Sequence, residues 1–186
     1  MRVCVSRTEN PIGVPYMRQE ADSNSHSYVD LRQSLEQISL IPEIRDWPEL
    51  ETTLRDINRA GSRFQTLGCE KSEIRPNDGS YGVSGYVDIA FEDLTIAKQW
   101  DFHVRLFQIF QAQAVTRWPD AGTCVEFVMQ PTHWIELQQQ SWSFSVWVIV
   151  GNCRSTIEAK ERWSAALKVV REFLLANETF GLITAN

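Results

Sequence analysis

Apolar residues recur along this chain with two periods, and the switches between them mark out its elements. From Ser27, Tyr28, Leu31, Leu35 and Ile38 fall at helical spacing until Pro42 ends the run. A second short helix opens at Asp46 or Trp47, with Pro48 in the first-turn position that suits proline. It carries Leu50, Leu54 and Ile57 on one stripe and stops before Gly61.

Period two then takes over. Phe64 to Ile74 reads as a strand, Arg75-Pro76-Asn77-Asp78-Gly79-Ser80 is the strongest turn signal in the chain, and Tyr81, Val83, Gly85, Val87, Ile89 and Phe91 alternate beyond it. Gly82 and Gly85 in the return strand mark a bulge or a close approach. Leu94 to Thr116 carries both periods, and its length and Gln-Ala-rich ending favour one helix, capped by Asp93 or Thr95. Three strand candidates follow: Thr123 to Met129, His133 to Gln138 and Trp142 to Val150, with Pro131 separating the first two. Ser155-Thr156-Ile157-Glu158 is a capping box, and a helix runs on through Trp163, Leu167, Val170 and Leu174 to about Asn177.

These elements imply an α+β fold, an antiparallel sheet of four or five strands with helices packed on it. Two short N-terminal helices lead, in the order ααββαββ(β)α. The first 26 residues hold Pro11, Gly13 and Pro15 and sustain no period, so residues 1–26 are expected to be a flexible arm, and 27–186 a single domain. Met17 within the arm is an alternative start. A length of 186 residues agrees with one domain able to build its own core.

Charge is unevenly laid out. Residues 1–18 carry +2, residues 19–93 carry −8 and residues 94–186 carry none, which together make the net −6. A field of that sign disfavours nucleic acid and anionic membrane and favours a basic partner, although acidic helix faces also simply keep a protein soluble. No apolar run approaches the roughly 20 residues of a spanning helix. Cys4, Cys69, Cys124 and Cys153 follow neither disulfide nor zinc spacing, and no leader precedes them, so reduced thiols in the cytoplasm are expected.

Catalytic patterns are thin. Gly82-Val83-Ser84-Gly85 lacks the spacing and the strand-to-helix setting of a nucleophile elbow. Cys69 and His103 are a thiol and an imidazole that a fold can bring together, against the plainer reading of a small buried thiol and an unrelated surface histidine. His26, His103 and His133 are isolated, so no metal is expected, and neither phosphate-binding fingerprint is present, so no cofactor is expected. Carboxylate pairs such as Glu92-Asp93 serve as helix caps equally well.

Seven tryptophans remain. Trp47, Trp100 and Trp163 lie on apolar helix stripes, whereas Trp134 and Trp147 occupy the strand face opposite the most apolar series. A polar partner-binding face is expected from Glu43, Asp46, Glu49 and Glu51 together with Trp134 and Trp147. The expectation is a non-enzymatic, cytoplasmic protein-binding module of the inhibitor or immunity type that covers a basic toxin or effector. One alternative is a dimeric secretion chaperone, because the element order resembles type III secretion chaperones, although no motif matches. Another is an enzyme or small-molecule-binding protein with a pocket where Cys69, Tyr81, His103 and Trp147 converge.

Overall fold

The computed structural model describes residues 2–15, 28–76, 78–117 and 122–176, the side chains of 115–117 apart. Met17, His26, Trp118 and the expected tail from Asn177 lie outside them. The chain is α+β, with a mixed six-stranded sheet and helices packed on it. The strands are β1 (Arg2–Arg7), β2 (Ile12–Val14), β3 (Phe64–Ile74), β4 (Tyr81–Phe91), β5 (Thr123–Trp134) and β6 (Gln139–Cys153). The helices are α1 (Pro48–Asn58), α2 (Leu94–Ala97), α3 (Trp100–Arg117) and α4 (Thr156–Leu175).

The strand order is β1-β5-β6-β4-β3, with β2 also on β5. Neighbours β3, β4, β6 and β5 are antiparallel, whereas β1 and β2 both run parallel to β5. The expectation of an all-antiparallel sheet of four or five strands is therefore corrected: two strands lie inside the segment read as an arm. Each is short and pairs with residues more than a hundred positions away, Val3 with Val125 and Val14 with Trp134, so no local period announces it.

Pro131 does not divide a strand. It lies inside β5 opposite Trp142, between Met129, the last residue paired with β1, and Thr132, the first paired with β2. A residue without an N–H is tolerated where the edge partner is interrupted. The candidate His133 to Gln138 is accordingly the end of β5 and the turn into β6.

The first expected helix is also corrected. Leu35–Leu40 and Pro42–Ile44 are 3-10 turns. Asp30 Oδ1 accepts the N–H groups of Arg32 and Gln33, and the Ser34 hydroxyl bonds the Glu36 carboxylate instead of capping the backbone, so local side-chain bonds compete with an α-helical ladder. The segment Leu94 to Thr116 is two helices broken at Lys98 and Gln99, with Asp93 capping the first by accepting the Thr95 N–H at 2.7 Å. The strand pair β3–β4 and helices α1 and α4 keep the expected bounds to within a residue or two, and the β4–β6 register shifts between Tyr81 and Val83, at Gly82.

The helices share one sheet face. Phe107 and Phe110 of α3 pack on Phe127 at 4.7 and 4.9 Å, and Phe110 meets Phe173 of α4 at 5.0 Å. Trp163 of α4 donates its Nε1–H to Val148 O at 3.0 Å and stacks edge-on with Trp47 before α1 at 5.0 Å. Val83, Val87, Ile89, Val125, Val146 and Val148 line the sheet side of this core. The opposite face carries a smaller apolar cluster at one end: Val14, Leu67, Ala90 and Trp134, with Ile12, Tyr28 and Leu94 against it. Among the described residues no helix is long and apolar enough to cross a membrane.

Candidate functional site

Alternation along strands decides which side chains reach the face opposite the helices. At mid-sheet one row of paired residues crosses five strands: Cys4 on β1, Glu126 on β5, Trp147 on β6, Tyr86 on β4 and Glu70 on β3. Tyr86 and Trp147 are half-buried, with ring centroids 4.6 Å apart and planes inclined at 41°. Glu126 and Glu70 flank this pair on either side, and take part in none of the ion pairs formed among the described residues. An aromatic face presents negative potential, so two rings framed by two carboxylates suit a cation.

The next row adds Asp88 on β4, opposite Ser145 on β6. The Ser145 hydroxyl donates to Asp88 Oδ1, and Gln130 Nε2 reaches the same oxygen at 3.4 Å. Burial raises the Asp88 carboxyl to a pKa of about 6, against the lowering effect of those two donors. Hydroxyls continue along the face toward the Trp134 end, where Thr132 donates to Ser143 at 2.6 Å and Trp134 Nε1 donates to Ser141 at 2.8 Å. The small side chains that alternate with the apolar series of β6 are thus a buried polar ladder.

Of the six residues singled out from sequence, Trp134 and Trp147 do share this face. Trp134 pairs with Gln139, eight residues from Trp147 along β6, so the two stand about 27 Å apart. Trp134 is buried in the small cluster, and only Trp147 belongs to the mid-sheet row. The acidic residues lie elsewhere, on the helix side. Glu49 pairs with Arg171 of α4 at 3.2 Å, and Glu51 with Arg55 at 2.7 Å. Burial pushes the Glu49 carboxyl up and Arg171 pulls it down. Asp46, at φ 62°, and Glu43 both act on Lys71, whose ammonium lies 4.8 Å over the Trp47 ring. The structure does not bring these four acids to the tryptophans.

The pocket of Cys69, Tyr81, His103 and Trp147 does not assemble either. Trp147 is on the opposite face, Tyr81 begins β4, and His103 meets Phe91 at the other end of that strand. Cys69 pairs with Val87 beneath the helices, its thiol pushed up by burial and then by Glu43. His103 is corrected from a surface residue to a core one: it is 0% exposed, Nε2 lies 3.2 Å from Ala97 O, and burial lowers its pKa to about 4. His133 lines an open cleft of about 350 Å³ beside Glu9, Pro11, Pro131 and Trp142. Among the described residues no three His, Cys, Asp or Glu side chains are grouped to hold a metal.

Glu70, Tyr86, Asp88 and Glu126 are not among the residues singled out as a site from the sequence, Asp88 being set aside there as one carboxylate among many. Tyr86 and Asp88 are the intervening residues of a strand whose alternation was already recognised, which is the one signal that could have found them. The chain matches no protein-family model, no curated protein and no solved structure.

Proposed function

We propose that this chain is a non-enzymatic protein-binding module that takes a basic partner on the sheet face opposite its helices. In its sharper form it is an inhibitor or immunity-type protein covering a cationic effector. The observation that supports this reading is the row Glu70, Tyr86, Trp147, Glu126, an aromatic pair between two carboxylates on a rigid sheet. A lysine or arginine of the partner seated over the rings gains cation–π attraction, and the carboxylates add steering and specificity.

The test is affinity capture of the tagged chain from its own host at low salt, run beside Trp147→Ala and the double reversal Glu70→Lys with Glu126→Lys. A stoichiometric basic protein is expected with the parent chain, lost at high salt. Trp147→Ala should weaken it by about 30-fold, the effect of a central aromatic anchor. A partner held equally well by both variants would remove this face from consideration.

A further inference from the structure

The thiols of this chain are not equivalent. Cys69 is half-buried against the core beneath the helices, its thiol pushed well up by burial, and Cys153, at the end of β6, is buried with its sulfur held by Arg162 at 3.2 Å. Cys4 and Cys124 are half-buried and free. The parallel register sets Arg2 against Cys124 and Cys4 against Glu126, so both cysteines project from the face opposite the helices, on adjacent strands and one step out of line. The side chains of Cys4 and Cys124 interact with each other, and Arg2 interacts with Cys124; burial and then Cys124 push the Cys4 thiol up. The register thus sets a cation, Arg2, beside Cys124 and a carboxylate, Glu126, beside Cys4, which makes Cys124 the attacking sulfur of the two.

We propose that Cys4 and Cys124 are an oxidisable thiol pair that hydrogen peroxide closes into a disulfide, fastening the N-terminal edge strand to the sheet. Cys124 gives its proton to solvent and its sulfur attacks the peroxide. An S–O bond forms, the O–O bond breaks, and the departing hydroxide takes up a proton as water. The Cys4 sulfur then attacks the sulfenic acid on Cys124. The S–S bond forms, the S–O bond breaks, and a second water leaves with the Cys4 proton. Two thiols lose two electrons and one hydrogen peroxide gains them.

Diagonal neighbours on paired strands have Cα atoms about 7–8 Å apart, beyond the usual span of a disulfide, so closure requires the backbone to move. Closure consequently slides β1 along β5 by about 1 Å or more. β1 can follow because it is an edge strand, paired on one side only. The reduced chain holds this edge by backbone bonds and by Arg7, whose guanidinium lies 5.4 and 5.1 Å from the Trp100 and Trp142 rings. The oxidised chain holds it covalently as well. This inference stands apart from the binding proposal, since it requires no partner.

The test treats the full chain with stoichiometric hydrogen peroxide, blocks remaining thiols under denaturing conditions and maps the peptides. A Cys4–Cys124 linkage within one chain is expected, with Cys69 and Cys153 still blocked, and dithiothreitol should reverse it. Amide exchange over residues 2–7 should slow on oxidation. Cys4→Ser should leave Cys124 as a sulfenic acid that dimedone traps, and Arg2→Gln should slow the reaction several-fold. The proposal is overturned if Cys4 and Cys124 stay thiols under conditions that oxidise free cysteine, or if linkage forms between chains. Oxidation of Cys4 at the parent rate in Cys124→Ser would overturn it equally.

Discussion

Glu49 of α1 lies 3.2 Å from Arg171 of α4, and these side chains are only 19% and 12% exposed. The same guanidinium holds Asp56 at 2.7 Å, so one arginine clamps the two helices together through carboxylates about two turns apart. Removing one partner of an enclosed pair leaves the other charge without its counterion, which costs more than the pair contributes. Glu49→Lys sets two cations together and should lower stability by about 3–5 kcal/mol. Glu51→Lys, which breaks a solvent-facing pair with Arg55, should change it by less than about 1 kcal/mol. Urea unfolding of both variants checks this, and a loss under about 1 kcal/mol for Glu49→Lys as well would show that the α1–α4 clamp is unimportant.

Asp88 and His103 oppose each other in acid. The native Asp88 carboxyl, at about 6 against an ordinary 3.8, keeps a proton that the unfolded chain releases. Its contribution is full below pH 3.8 and is lost as pH rises through 6. The native His103 ring, at about 4 against 6.5, stays neutral where the unfolded chain is charged. Its contribution is full above pH 6.5 and is lost as pH falls through 4. Each amounts to about 3 kcal/mol across its window, so between pH 4 and 6 the two slopes nearly cancel. Relative to the parent chain, Asp88→Asn should make stability rise more steeply with pH over this range, and His103→Gln should make it fall. Urea midpoints at pH 4.5, 5.5 and 6.5 read the difference. Parallel profiles for all three proteins would contradict the assigned directions.

At Gly85, β4 lies against both β3 and α4. A Cβ there would stand 2.6 Å from Glu70 O and 3.0 Å from Trp163 Cζ2, so backbone as well as a buried indole would have to shift. Gly85→Ala should cost about 2–3 kcal/mol. At Gly151 nothing lies within 4 Å of an added Cβ, and Gly151→Ala should stay within about 0.5 kcal/mol of the parent. Thermal melts of the two alanine variants separate the positions.

Asn58 ties the end of α1 to β3. Its amide donates to Leu54 O and Thr66 Oγ1, both at 2.7 Å, and its carbonyl accepts the Thr66 N–H at 3.0 Å. Asn58 is 4% exposed, so Asn58→Ala strands the Thr66 N–H in the interior and should cost about 2–3 kcal/mol. Faster amide exchange at Thr66 should accompany the loss. An unchanged Thr66 exchange rate would mean that the N–H finds another acceptor.

Elements held by their own residues were legible without coordinates. The turn around Asp78 and Gly79 with its alternating flanks defined β3 and β4, Pro48 opened α1, and the Ser155 hydroxyl accepts the Glu158 N–H as its spacing implied. These features depend on bonds a few residues apart, which is the range over which periodicity carries information. Tertiary structure alone decided the rest. Val3 finds Val125 and Pro131 finds the break between β1 and β2 only when distant segments meet. Glu49 on α1 looked available because its partner, Arg171, lies more than a hundred residues on. His103 looked like a surface residue because α3 has apolar positions nearly all round, and only its packing on Phe91 and Phe144 places the ring inside. Strand alternation determined that Trp147 faces away from the main core. The pairing of β4, β5 and β6 determined that Tyr86, Glu70 and Glu126 stand beside it, because a strand's period specifies a face but not the neighbours on it.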